Sequence, residues 1–172
     1  MPVTDQGKLF DRYALVPRVL IFVIQDECVL LIRGAAHKRL WANLYNGIGG
    51  HVERGEDVLG AARRELREET GLEAVLRLCG VVTIDVGQTM GVGLYILRGE
   101  RPRGELSASS EGIPEWVPWS KLAELPLVED LQWLLPRLQK AQPGDPPFSA
   151  HSWYDVQGRL QMRFDDPGQF PS

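Results

Sequence analysis

Glu65, Glu68 and Glu69 are spaced so that, at about 100° per helical residue, they fall at roughly 0°, −60° and +40° around one axis. Carboxylates this close on one helix face repel one another unless something positive sits among them. A hard divalent ion with oxygen ligands is the natural partner, magnesium first. The acidic stripe follows directly on Gly47-Ile48-Gly49-Gly50, whose bare backbone can approach a phosphate or offer a carbonyl to a metal. The alternative is a merely soluble helix whose Glu and Arg side chains exchange i,i+4 contacts of about a few tenths of a kcal/mol. That reading leaves the glycine stretch without a reason.

The helix that positions these acids carries its own punctuation. Asp57 can cap its start by accepting from free N–H groups of the first turn, and Gly71 can end it in the left-handed conformation. On the same wheel Leu59, Ala62 and Leu66 form a face that can pack on a sheet, while Arg63 and Arg67 point to solvent.

Around this helix, β-branched and aliphatic runs predict strands over residues 19–24 and 28–32, joined by a turn at Gln25-Asp26-Glu27, and over 74–86 and 92–97. Residues 34–46 read as a basic, aromatic loop entering a site. Residues 99–112, with their Pro, Gly and Ser, read as a second loop. A short strand is expected over 116–119, and Ser120 is placed to cap a brief helix running to Leu125. Leu127, Leu131, Leu134, Leu135 and Leu138 recur at helical spacing and predict a second helix, which Pro136 should end or kink. Residues 148–154 and 160–164 flank a turn and form a hairpin pattern.

Composition narrows the function classes. At 172 residues the chain fits one domain spanning residues 1–172, with an N-terminal arm over about 1–17 and a C-terminal hairpin over about 148–164. A 44% apolar and 24% charged composition excludes a low-complexity or wholly disordered chain. Net charge is −4 and no long basic tract exists, so the footprint of a duplex nucleic-acid binder is missing. An acidic protein that handles phosphates needs cations as mediators. The first residues lack a basic region followed by an apolar core, and no apolar run reaches about 18 residues, so a cytoplasmic protein without a membrane partner is expected. Cys28 and Cys79 lie in apolar runs and read as buried strand thiols. His37 and His151 have no ligand-spaced companions, which argues against zinc. His51 adjoins the glycine stretch and could touch a phosphate or simply face solvent, and Arg33, Lys38 and Arg39 make the entry loop the most basic part of the chain.

From Gly50 the chain reads GHVERGEDVLGAARRELREETGL. This resembles the signature of the Nudix hydrolases: G, five residues, E, seven residues, R-E-aliphatic-any-E-E-any-G-aliphatic. Gly50, Glu56, Arg64, Glu65, Leu66, Glu68, Glu69, Gly71 and Leu72 meet its nine constrained positions across 23 residues. The resemblance implies an α/β fold, an α/β/α sandwich with a mixed β-sheet and a loop-helix-loop motif that holds divalent metal against a pyrophosphate. It implies Glu65, Glu68 and Glu69 as metal ligands, with the Gly50 carbonyl as a further one and Mn2+ able to stand in for Mg2+. Glu56 becomes the structural partner of Arg64. The general base falls to Glu68 or Glu69 first and Glu111 second.

The run Tyr45-Asn46-Gly47-Ile48-Gly49-Gly50-His51-Val52 resembles W-N-G-F-G-G-K-V in the MutT-like and mammalian-type oxidised-purine nucleoside triphosphatases. In those enzymes the Asn hydrogen-bonds the purine. Glu111 sits five residues before Trp116, as a metal-site Glu does there, and Glu129-Asp130 fall where an acidic pair reads the base edge. Tyr45, Asn46, Glu129 and Asp130 are therefore candidate substrate contacts. Leu127 stands where the relatives stack a Trp on the base. The signals of the ADP-ribose, NADH and coenzyme A branches are absent or partial: no proline occurs between Leu72 and Arg101, and Leu30-Leu31-Ile32-Arg33 leads to Ile48-Gly49-Gly50 without a proline.

The resemblance thus implies hydrolysis of a nucleoside triphosphate, oxidised or not, to monophosphate and pyrophosphate. A nucleotide sugar, a dinucleotide or another nucleoside diphosphate derivative is the alternative substrate. A binding module without catalysis is the reading from another class, and such modules would be expected to lose acids that this chain retains. The small-molecule partner is a nucleotide, and a homodimer is left open.

Overall fold

The computed structural model describes residues 12–37 and 41–165, so Lys38, Arg39 and most of the expected N-terminal arm lie outside the described residues. Nine strands and two α-helices follow in order. They are β1 (Ala14–Gln25), β2 (Cys28–Gly34), β3 (Tyr45–Asn46), β4 (Ile48–His51), α1 (Val58–Thr70), β5 (Leu72–Asp85), β6 (Met90–Gly104), β7 (Gly112–Pro118), α2 (Leu131–Lys140), β8 (Phe148–Tyr154) and β9 (Leu160–Asp165). A 3-10 turn, Trp119–Glu124, separates β7 from α2. Among the described residues no helix is long and apolar enough to cross a membrane.

The sheet is mixed. β1 runs parallel to β6 and β5 parallel to β8, while the remaining pairs are antiparallel, giving the path β3-β2-β1-β6-β5-β8-β9. Alternation along β1 shows how the two faces are used. Val19, Ile21 and Val23 pack with Ala61, Ala62 and Leu66 of α1. Leu20 and Phe22 pack on the other side with Leu131, Leu134, Leu135 and Leu138 of α2. The sheet is the middle layer of the expected α/β/α sandwich.

β1 and β2 pair only at Ile24–Val29 and Gln25–Cys28 before they part. Beyond that point β4 takes over pairing with β1 and β3 pairs with β2, while β7 pairs with β2 along its whole length from Cys28 to Gly34. The split opens the sheet at the glycine stretch, which the sequence pattern read as loop and which instead contributes β4. At the sheet's far end the Tyr13 hydroxyl donates to Asp85 Oδ1 at 2.9 Å, and His151 Nε2 lies 2.9 Å from Asp85 Oδ2. One carboxylate thereby ties together β5, β8 and the approach to β1.

Four local expectations need correction. β6 runs through residues 99–104, which the Pro and Gly content marked as loop; a register shift between Glu73 and Val75, with Arg101 at φ 54°, is the bulge that lets the strand carry Pro102. β7 begins at Gly112, four residues before the expected strand. The turn from Trp119 starts after Pro118 with no side-chain cap, so Ser120 does not cap it. Pro136 lies inside α2 and does not end it. Pro136 faces solvent while Leu131, Leu134, Leu135 and Leu138 are all buried, and four buried leucines outweigh one lost hydrogen bond.

Gly71 ends α1 at φ 75°, its N–H donating to the Arg67 carbonyl, and a Cβ there would lie 2.6 Å from the Glu105 carbonyl oxygen. Gly71→Ala is therefore expected to destabilise the protein by about 1–3 kcal/mol through strain alone. Thermal melting checks this; an unchanged Tm would mean that the helix end relaxes without cost.

Candidate functional site

The loop before α1 and the helix itself are held together by one guanidinium. Arg64 donates through Nε to Glu56 Oε1 at 2.7 Å and through Nη2 to Glu56 Oε2 at 3.0 Å, a forked pair, and Nη2 also reaches the His51 carbonyl at 3.0 Å. Its Nη1 donates to Glu65 Oε1 at 2.8 Å and lies 3.3 Å from Glu68 Oε2. Glu56 also accepts from the Glu53 N–H at 3.1 Å, which closes the loop. The Arg64 hydrogen bonds hold the Glu56 carboxyl far below the usual range, at about 2, and the same contacts push the Arg64 guanidinium up. Asp57 caps α1, its Oδ1 accepting from the Gly60 N–H at 2.7 Å.

The three stripe acids have different surroundings. Glu69 is buried at 5% exposure, the Glu65 side chain is 13% exposed, and the Glu68 side chain is 60% exposed. Leu59, expected on the core face, is exposed, because the buried face of α1 is shifted to Ala61, Ala62, Leu66, Glu69 and Thr70. Among the described residues, no three His, Cys, Asp or Glu side chains already converge as a metal cluster, since Glu65 and Glu68 turn toward Arg64. The donor set nevertheless suits a hard cation. The Glu65 carboxylate lies against the Gly50 backbone, where any Cβ would clash with Oε1, so a carboxylate and the glycine stretch meet at the place the motif requires.

On the α2 side of the sheet the split between β1 and β2 opens into a cleft of about 490 Å³. Its lining includes Asn46, Glu69, Glu111, Glu129 and Asp130, five residues singled out from the sequence. Aliphatic side chains of Leu20, Val82, Ile84, Val92 and Leu94 form the sheet wall. Asn46 Oδ1 accepts from the Gly47 N–H at 2.8 Å, which orients the amide and leaves its NH2 to donate. Tyr45 is not in this lining. Its side chain is buried in the core and its hydroxyl donates to Glu115 Oε2 at 3.0 Å, so it braces β3 against β7. Leu127 also packs on the core and not in the cleft.

Asp130 is the most perturbed acid of the cleft. Its Oδ1 is sealed from solvent without a hydrogen-bond partner. Burial first, and the charge of neighbouring Glu129 second, raise its carboxyl to about 6 against the pull of backbone N–H groups. Near neutral pH this group lies close to its titration point and can present either a proton or a charge to a ligand. Tyr154, whose hydroxyl lies 3.5 Å from Glu129 Oε2, lines the same cleft.

Sequence reasoning missed Arg18, Trp41 and Tyr154 in this lining. Trp41 was hidden in an irregular loop, where it sits at φ 59° and 41% exposed. Arg18 had a readable signal: a charge at the same strand parity as Leu20 and Phe22.

Comparison with known proteins matches residues 14–156 to the family profile described as NUDIX domain. The oxidized purine nucleoside triphosphate hydrolase of Danio rerio is 35% identical over 128 residues, covering 70% of this chain and 78% of the relative. The Mus musculus protein of the same description is 32% identical over 127 residues, with the same shares covered. A crystal structure of a MutT protein from Bacillus halodurans superimposes with a TM-score of 0.74 at 24% identity, covering 88% of this chain and 98% of that one.

Two outcomes follow from the geometry. Glu56→Gln and Arg64→Gln are each expected to lower Tm, and the double variant should lose less than the sum, because the two residues share one forked ion pair; strict additivity in a thermal-melting cycle would contradict the coupling. The raised Asp130 carboxyl means that the folded state resists ionisation above the ordinary carboxylate pKa. Stability should therefore fall as pH rises through about 6. Asp130→Asn should melt above the wild type at pH 8, with the gap closing by pH 4; a gap independent of pH would show that the carboxyl is not perturbed.

Proposed function

The chain belongs to the Nudix hydrolase family, and from that premise we propose that it hydrolyses a purine nucleoside triphosphate, in particular one with an oxidised base, to the monophosphate and pyrophosphate. The observation that carries this reading is the cleft that brings Glu69 and Glu111 together with Asn46, Glu129 and Asp130. Acids suited to a metal and to a water are thus joined to a set of donors and acceptors suited to a purine edge. The relatives in zebrafish and mouse, named for oxidised purine nucleoside triphosphates, support the same substrate class.

In this reading Asn46 donates its amide N–H to the base, its oxygen being held by Gly47. Asp130 donates a proton or accepts one according to the base edge offered, which its carboxyl near 6 allows at neutral pH. Aliphatic side chains of the sheet wall take the rest of the purine out of water. Stacking does not come from Leu127, which is part of the core.

Glu65, Glu68, Glu69 and the Gly50 carbonyl would hold the metal, Mg2+ with Mn2+ as a substitute. When bound there, a divalent ion neutralises charge on the phosphoryl oxygens and lowers the pKa of a coordinated water. Glu69 would be the preferred proton acceptor for the attacking water, ahead of Glu68, because Glu69 lines the cleft and Glu68 does not. Glu111 is the second candidate for the same role. Glu56 and Arg64 touch no substrate in this account; they fix the angle at which α1 presents its acids.

The nearly isosteric Glu69→Gln should lower kcat by about 100-fold or more while Tm stays near the wild-type value. Unchanged turnover would remove Glu69 from the reaction. A panel of purine and pyrimidine triphosphates, 8-oxo-purine triphosphates, ADP-ribose and dinucleotides, assayed with magnesium, decides the substrate class. Release of pyrophosphate from purine triphosphates is expected; cleavage of a dinucleotide with the triphosphates untouched would overturn the proposal.

A further inference from the structure

Strand β1 carries one residue that its surroundings do not explain. Arg18 shares the strand face of Leu20 and Phe22, which are 6% and 0% exposed, and it is flanked on both sides by paired strands, opposite His51 of β4 and Leu94 of β6. A cation that starts from the middle of a sheet, on the face that buries its neighbours, ordinarily needs a partner. The other half-buried arginines have one. Arg64 pairs with Glu56, Arg77 and Arg98 face Glu100, and the Arg137 guanidinium lies 3.8 Å from the centre of the Phe164 ring. Among the described residues no carboxylate lies within ion-pair distance of Arg18.

Arg18 lines the cleft described above, and among the described residues of that lining it is the one cation, facing Glu69, Glu111, Glu129 and Asp130. Four acids in one lining repel a polyanion, and Arg18 is the cation among the described lining residues that can offset them. Gly49, opposite Leu20 in the β1–β4 register, also lines the cleft, so the space beside Arg18 is bounded by backbone on that side. A guanidinium fork with free N–H donors matches the oxygen pairs of a phosphoryl group better than any other side chain does.

We propose that Arg18 binds the oligophosphate of the substrate directly, as a cation of the cleft beside the acids that would hold the metal. This rests on the reading of the cleft as a triphosphate site and adds to it the residue that receives the phosphates from the protein side. Arg18 contributes to binding of the phosphate chain and not to recognition of the base.

The test is calorimetric titration of inorganic tripolyphosphate, with magnesium, into the full-length wild type, Arg18→Gln and Arg18→Lys, with a purine nucleoside titrated in parallel and KM and kcat measured on the best triphosphate. Arg18→Gln should weaken tripolyphosphate by roughly tenfold or more, as expected for loss of a charge-assisted forked contact, and leave the nucleoside within twofold. Arg18→Lys should fall between, since an ammonium keeps the charge and loses the fork. KM should rise in step with the tripolyphosphate Kd. Tripolyphosphate affinity unchanged in a folded Arg18→Gln, or equal losses for tripolyphosphate and nucleoside, would overturn the proposal. If Arg18→Gln does not fold, Arg18→Lys decides alone, and wild-type affinity there would overturn it. Should the wild type cleave no triphosphate at all, the proposed function fails, while the tripolyphosphate titration still decides the role of Arg18.

Discussion

Arg64 is the constraint on which the site depends. One guanidinium donates to Glu56 in a forked pair, donates to the His51 carbonyl, and lies against Glu65 and Glu68, so the loop before α1 is tied to the helix. The arrangement has an electrostatic logic. A helix with Glu65, Glu68 and Glu69 close together is destabilised by its own charge, and the Arg64 guanidinium beside Glu65 and Glu68 offsets part of that repulsion. Glu69 is buried and lines the cleft. The angle between α1 and β4, and hence the relation of the Gly50 carbonyl to the acids, follows from this single network.

The sheet supplies the other half of the design. Because β1 and β2 separate after two paired residues, the sheet opens where the glycine stretch enters, and the resulting cleft is walled by aliphatic side chains of β1, β5 and β6. α1 packs on one face of the sheet and α2 on the other, and Glu69 of the first helix lines the same cavity as the Glu129-Asp130 pair at the start of the second. The same cavity perturbs Asp130: burial raises its carboxyl to about 6, so the group can hold a proton near neutral pH.

Much of this was legible in the residues. Asp57 and Gly71 mark the ends of α1 because capping and left-handed backbone are local properties of a few atoms. The strand runs around residues 19–24 and 28–32 were legible because alternation and β-branching are also local. What stayed hidden depends on distant partners. Pro136 signals a helix end unless one knows that four leucines around it are all buried. Tyr45 read as a candidate substrate contact because it stands in a run that resembles W-N-G-F-G-G-K-V, but its side chain packs in the core and its hydroxyl donates to Glu115, while Asn46 lines the cleft. The helical wheel put three glutamates on one stripe and could not tell that Arg64, one residue away, would draw Glu65 and Glu68 toward itself while Glu69 lines the cleft. Arg18 needed the register of three strands before its isolation became visible.

The account stands or falls on whether the α1 acids gather a divalent ion although they do not form a closed cluster without one. Binding of Mn2+, followed by paramagnetic resonance on the wild type, Glu69→Gln and Glu129→Gln, asks this directly. A saturable Mn2+ site that is lost in Glu69→Gln and kept in Glu129→Gln is the predicted result. Equal Mn2+ affinity in all three proteins would contradict the placement of the metal and with it the chemistry assigned to the helix.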